Sequence, residues 1–448
     1  MEGLVTGSAR VISANKMRQL YSGRGSLFLS SVLAAALGSA WAVLHAPLVV
    51  AGAFLISALS LAAAAVISSI ALGVGWFRTL LPTGFTAAAL VDACLVALVL
   101  RTGARHASRR IGATLPIATA CLLAFAAWAW LSVAATTSWG SATALGRVTL
   151  YAACFACLSL TSRSARPLFL FVMWLSLLQL VLSVLLNVEL DTFVGDPHQL
   201  GMLLLAGLAG TAFLVRPRSR LLVSIVLLVG IIATTRRGIW IAGAAEVTAL
   251  LVTRAQGKVQ KLAPIALAVA LAVGASLLGV LSAEEQLQTD LSLNEDSVQL
   301  RSESWQYGLQ LAAGHPLLGV GWASGNADIE EGVVRGLPPI HAQDTFAPYN
   351  LWINLAASTG IVGAALFTMF LVTLGRGYIA ATTAHPAARA GIVLLVGFVV
   401  LSVSEMTLYA AAPATINFLL LSGAALGSLP GSAGPRVSRE RYTQGLRI

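Results

Sequence analysis

The feature that most constrains this chain is a long series of apolar runs. They lie near residues 27–45, 48–74, 85–100, 111–133, 147–161, 167–187, 198–215, 221–235, 238–253, 262–282, 350–374, 390–408 and 412–428. Most are long enough to cross a hydrocarbon layer about 30 Å thick as a helix. Their length and continuity predict helices, because a membrane β-barrel would show short segments of alternating polarity. Pro, Gly and charge mark the breaks, as in Pro82-Thr83-Gly84, Arg216-Pro217-Arg218 and His385-Pro386. Of 448 residues, 57% are hydrophobic and 10% charged, with a mean hydropathy of +0.84. Soluble domains carry about 25% charged residues, so a soluble enzyme, a disordered chain and a nucleic-acid module are all excluded. Cys94, Cys121, Cys154 and Cys157 fall within apolar runs and read as small packing residues.

The basic residues predict the orientation. Arg101, Arg105, Arg109 and Arg110 share one loop. Arg163 and Arg166, then Arg216, Arg218 and Arg220, then Arg254, Lys258 and Lys261, then Arg376 and Arg389 follow on alternate loops, with Arg436, Arg439, Arg441 and Arg447 in the tail. One face thus collects 18 of the 28 Lys and Arg residues and should be cytoplasmic. Arg10, Lys16, Arg18 and Arg24 obey this parity if one of the first two runs is not a complete span. The first 26 residues are polar and basic, and the first apolar run is too long for a cleavable signal.

The expected fold is all-α: a polytopic integral membrane protein of about 12 transmembrane helices with both termini inside. Residues 1–26 form a cytoplasmic N-terminal segment and 27–282 transmembrane helices. Residues 283–349 form a large outward-facing loop with an amphipathic helix, 350–428 the C-terminal transmembrane helices, and 429–448 a basic cytoplasmic tail. The outward loop carries 10 of the 18 acidic residues and only Arg301 and Arg335 as cations. Its stretch Ser297–Ala313 has helical amphipathic spacing around Trp305 and Tyr307, suited to the membrane–water boundary.

Four polar clusters fall on the outward side. The first is Thr234-Thr235-Arg236-Arg237-Gly238, a short turn between two apolar runs. Two guanidinium groups there run against the positive-inside trend and suit a diphosphate, which Arg binds in bidentate fashion; an interfacial pair bonded to acids or headgroups is the plain alternative. The second runs from Arg301 and Trp305 to His315-Pro316-Leu317-Leu318-Gly319-Val320-Gly321-Trp322, where the glycine pair predicts a tight bend. The third holds His341, Asp344, Tyr349, Asn350, Asn354 and Gly360-Ile361-Val362-Gly363. Asn350 and Asn354 lie one helical turn apart, on one face. The fourth, Asp196-Pro197-His198-Gln199, begins a span, where free N–H groups favour an anion. Asp92, Glu246 and Glu405 lie in or near spans and support a competing transporter reading.

In this order the clusters resemble the O-antigen ligase/O-antigen polymerase superfamily of bacterial membrane glycosyltransferases of the GT-C type. The resemblance covers residues 100–430. Thr234–Gly238 is similar to the family's Ser-Arg-Gly turn, Arg301–Gly321 to its Arg…Trp…Pro-Leu-x-Gly-x-Gly stretch, and Gly195–Gln199 to its span-initiating Asn-Pro-Asn turn. Tyr349-Asn350 followed by Gly360-Ile361-Val362-Gly363 resembles the ligase pattern His-Asn-x9-Gly-x-x-Gly, with Tyr349 where the ligase has His. The resemblance implies a polyprenyl-diphosphate-linked glycan donor and a glycan or lipid acceptor. Catalytic residues would be Arg237, Arg301, His341 and Tyr349, with Arg236, Asn350, Asp196, His198, Gln199 and Trp305 binding substrate. A general base would be His341, Asp344 or Asp196, and Tyr349 would orient the acceptor. The outward loops lack an Asp-x-Asp motif, so no metal and no cofactor is expected. Membrane lipids and a chain-length regulator are expected partners, nucleic acid is not, and the location is the bacterial cytoplasmic (inner) membrane, multi-pass, with the site on the periplasmic face. A transporter or flippase of an anionic or lipid-linked substrate is the competing class, and a non-catalytic scaffold the third.

Overall fold

The computed structural model describes residues 116–137, 142–162, 164–185, 197–234, 236–254, 304–322, 350–382, 384–404 and 413–429. The expected spans at 27–45, 48–74, 85–100 and 262–282, the N-terminal segment and the tail lie outside them.

The described residues are helical, with no strand among them. The helices are α1 (Ile117–Thr136), α2 (Ala142–Thr161), α3 (Arg166–Leu185), α4 (Pro197–Gly210, continued by a 3-10 turn at Thr211–Phe213), α5 (Pro217–Ala233) and α6 (Arg237–Val252). There follow α7 (304–314), α8 (Leu351–Ala381), α9 (Pro386–Ser404) and α10 (Pro413–Gly427). Nine of these coincide with the apolar runs at 111–133 through 238–253 and 350–374 through 412–428. Three described helices are long and apolar enough to cross a membrane: Ile117–Thr136, Leu351–Ala381 and the Pro386–Val403 part of α9. Pro opens α4, α5, α9 and α10, where its missing N–H costs nothing.

The helices alternate in direction, and side-chain contacts tie like ends together. The Thr119 and Ser159 hydroxyls bond at 3.0 Å, joining the start of α1 to the end of α2. Asn350 Nδ2 donates to Val403 O at 3.0 Å, joining the start of α8 to the end of α9. The described parts of the polar clusters therefore gather at one end of the bundle. The opposite end holds Arg166, Arg216, Arg218, Arg220, Arg254, Arg376 and Arg389.

The core is a chain of aromatic rings. Phe125 meets Phe367 at 5.2 Å, Phe367 meets Phe370 at 5.6 Å, and Phe370 meets Phe155 edge-on at 5.3 Å and Phe418 at 6.4 Å. Phe418 stacks on Phe398 at 3.9 Å. These rings tie α1, α2, α8, α9 and α10 together. Between apolar helices in lipid, water expulsion supplies little attraction, so close backbone approach matters more. Gly423 and Gly427, one turn apart on α10, meet this need. A Cβ on Gly423 would lie 2.8 Å from Phe155 O, and one on Gly427 would strike Leu158 O. Tyr378 is fully buried, and its hydroxyl donates to Ser422 O at 2.7 Å, locking α8 onto α10.

Gly427→Ala should destabilise the protein by about 1–3 kcal/mol, the range for overpacking. A Cβ on Gly377 would meet only Leu426 Cδ1 at 3.6 Å, so Gly377→Ala should be neutral or stabilise through helix propensity. Thermal unfolding of the two variants in detergent checks the pair, and equal shifts would contradict it.

Candidate functional site

The central feature of the polar end is a break in α8. This helix is 31 residues long, about 46 Å, and Gly360 inside it has φ 70°, ψ 178°, a conformation essentially reserved for glycine. The stretch 361–381 rises about 31 Å, the thickness of a bilayer's hydrocarbon core. The break thus falls one bilayer thickness from the basic end.

A break in an apolar helix leaves backbone groups to be satisfied inside the protein. The turn after α7 does this. Ile361 N donates to Pro316 O at 2.8 Å, Val320 N to Ala357 O at 2.9 Å and Gly321 N to Ser358 O at 3.1 Å. Two side chains of α1 complete the set: Trp128 Nε1 donates to Thr359 O at 2.9 Å, and Ser132 Oγ donates to Leu318 O and, at 3.0 Å, to Ser358 O. Gly319 and Gly321 have φ 67° and 97°, as expected of the tight bend. The approach is backbone to backbone. A Cβ on Gly319 would strike Ser358 C, and one on Gly360 would strike Leu317 O. Trp322 then packs edge-on against Phe125 at 6.2 Å.

The described parts of the second and third sequence clusters, the Pro316–Gly321 turn and the 350–363 stretch, are thus one structure. Asn350 N-caps α8, its Oδ1 accepting from Trp352 N at 2.9 Å and Ile353 N at 3.2 Å, while Nδ2 holds Val403 O. Both ends of this amide are therefore engaged in seating α8. Asn354, one turn on, accepts from Ser358 Oγ at 2.9 Å. Trp305 lies half-buried on α7, and its buried Nε1 has no hydrogen-bond partner.

The first cluster caps α6. Arg236 is exposed, and its carbonyl accepts from Trp240 N at 3.1 Å; Arg237 is the first residue of the helix. The turn is pinned by Thr234 Oγ1 donating to Ile231 O at 2.7 Å and by Trp240 Nε1 donating to Ile232 O at 3.0 Å. Nearby, His198 and Gln199 sit in the first turn of α4. Gly201 admits Ile239, since a Cβ there would lie 2.7 Å from Ile239 Cγ2. The N-termini of α4, α6 and α8 therefore share this end, and each brings a positive dipole end to it. Arg147, near the start of α2, adds a further cation there. Arg301, His341, Asp344, Tyr349 and Asp196 lie outside the described residues.

Trp128 and Ser132 were not singled out by sequence. The signal was two polar-capable residues spaced i, i+4 within an apolar run, which by itself looks like ordinary core. Glu246 takes a different place. It is 1% exposed on α6 and lines a cavity with Asn417, Gly397, Phe398, Leu401 and Phe418. Its Oε2 and Asn417 Nδ2 have no hydrogen-bond partner, and a Cβ on Gly397 would strike Oε1. It lies nine residues along α6 from Arg237, about 14 Å of rise, and so is well removed from the polar end.

A helical membrane bundle with an arginine turn, a broken span and a docked loop at one end is the class these features define. Residues 222–368, a third of the chain, match the family model described as O-Antigen ligase. The matched range runs from α5 to the middle of α8 and includes both the arginine turn and the docked loop. It supports a membrane glycan-processing function and a glycosyltransferase-like enzyme. No curated protein matches the chain.

Gly360→Ala should cost more than about 3 kcal/mol, because backbone strain adds to the clash with Leu317. Ser132→Ala should cost about 1–3 kcal/mol by leaving its two carbonyls without that donor. Thermal unfolding of the purified variants ranks them, and a Gly360→Ala protein as stable as wild type would refute the docked-break account.

Proposed function

We propose that the polar end transfers a polyprenyl-diphosphate-linked glycan to a hydroxyl of a second glycan or of a lipid acceptor, on the outer face of the bacterial cytoplasmic membrane. The observation that carries this reading is the arginine turn, Arg236-Arg237, at the N-terminus of α6 within the family-matched range. Guanidinium groups and a positive helix end together suit a diphosphate. Its placement opposite the arginine-rich end agrees with an outward position under the positive-inside rule.

The reaction is inverting substitution. The acceptor oxygen bonds to the anomeric carbon as that carbon's bond to the lipid diphosphate breaks. The hydroxyl proton passes to a base, and the leaving diphosphate takes the electron pair. Arg237 and Arg301 neutralise the charge that grows on it, with Arg236 assisting. His341 is the base, or one of the carboxylates Asp344 and Asp196. Tyr349 orients the acceptor, since its phenol, with a reference pKa near 10, is a poor base. Asp196, His198 and Gln199, around the start of α4, bind substrate. The chemistry needs no metal, and chain length is set with a separate regulator.

The test is purified protein in nanodiscs with a lipid-diphosphate glycan donor. A ladder of lengthened lipid-linked glycans means polymerase, and single transfer to an added acceptor means ligase. Arg237→Ala should lower the rate about 10²–10³-fold, the usual cost of losing a donor to developing charge. Near-normal turnover at normal protein level would refute the role.

The transporter reading draws on Glu246, a carboxyl group in a cavity between α4, α6, α9 and α10. Glu246→Gln keeps shape and hydrogen-bonding capacity, so under the transferase reading it should retain most activity. Loss of function in Glu246→Gln together with full function in Arg237→Ala would reverse the assignment.

A further inference from the structure

The basic end holds a cluster that glycan transfer does not use. Arg220, in the first turn of α5, points both Nε and Nη2 at Leu214 O, the Nε bond being 3.0 Å. Arg389, in the first turn of α9, donates from Nε to Thr382 O at 3.0 Å. Arg254, just after α6, has a buried Nη2 with no hydrogen-bond partner. α9 packs against α6 and against the 3-10 turn that leads into α5, which brings the three arginines to one corner of this end. Burial first, then Arg220 and Arg389, pushes Arg254 down to about 10, and burial followed by Arg389 lowers Arg220. Glu246 is the only carboxylate among the described residues, and it lies eight residues back along α6, about 12 Å. No acid among the described residues therefore offsets the cluster.

The surface beside it is apolar. Leu221, Leu222, Ile225, Val229 and Ile232 are exposed at helical spacing along α5, and Leu251 is exposed on α6. We propose that Arg220, Arg254 and Arg389 bind the phosphate of an anionic phospholipid whose acyl chains lie along this stripe of α5. The charges call for an anion, and the stripe running from them into the membrane calls for an amphiphile rather than a free ion. The site rests on the membrane reading alone and is independent of glycan transfer.

The full-length protein is reconstituted in bilayers of phosphatidylcholine with a minor share of phosphatidylglycerol, extracted with a polymer that retains neighbouring lipid, and its lipid measured by mass spectrometry. Wild type should enrich phosphatidylglycerol over the bulk bilayer. The double variant Arg254→Gln/Arg389→Gln should lose that preference by about tenfold or more, while Arg216→Gln/Arg218→Gln, which removes two exposed arginines at the same end, should keep it. Phosphatidylglycerol should also raise the melting temperature of wild type but not of the Arg254→Gln/Arg389→Gln variant, so a variant that merely misfolds is recognised by its low melting point in phosphatidylcholine alone. The wild-type preference is then tested a second way, by titrating inorganic phosphate against it. Equal loss in both double variants would mean general surface charge and overturn the site. Wild-type stabilisation by inorganic phosphate alone, without phosphatidylglycerol enrichment, would mean a free-anion site and overturn the lipid.

Discussion

The structure depends on how one broken helix satisfies its backbone. In an apolar bundle an unpaired carbonyl costs several kcal/mol, so a break persists only where the protein supplies partners. At Gly360 the partners come from the 315–322 turn and from two residues of α1. This joins segments almost two hundred residues apart in sequence, Ser132 and Leu318 among them. It also fixes the end of α7 against the break in α8. Remove the docked turn and α8 has no reason to bend.

Charge separates the two ends of the bundle. The helix directions put the N-termini of α4, α6 and α8 at the polar end, where their dipoles and Arg236 favour anions. The other end collects seven arginines with no carboxylate beside them among the described residues. Both ends are therefore cationic, but differently built. One gathers helix starts and a docked turn. The other is a rim of guanidinium groups beside exposed leucines.

Much of this was legible in the residues. Nine helices follow from apolar runs bounded by Pro, Gly and Arg, because a membrane leaves a long apolar segment few other solutions. The positive φ of Gly319 and Gly321 follows from glycine spacing around a proline. Asn350 reads as polar and functional in sequence, yet its amide is spent on the α8 cap and on Val403. Residue type alone cannot separate those roles, because capping and ligand binding use the same groups. Trp128 and Ser132 were invisible for the converse reason: nothing local distinguishes a core tryptophan from one that donates to a distant carbonyl.

The sequence by itself determined the class of the molecule: the helices, their alternation, the cationic ends and the family segment, all of which depend on local composition and order. Only the tertiary structure decided that the Pro316–Gly321 turn and the Gly360 break are one element. It also decided that Glu246 is buried away from the polar end and that α6, α9 and the 3-10 turn before α5, which bring Arg254, Arg389 and Arg220 to one corner, pack together. These are matters of which backbone and side-chain groups meet across helices. Such meetings are set by packing at glycine-sized gaps and by the need to pair every buried polar group, and no single segment carries that information.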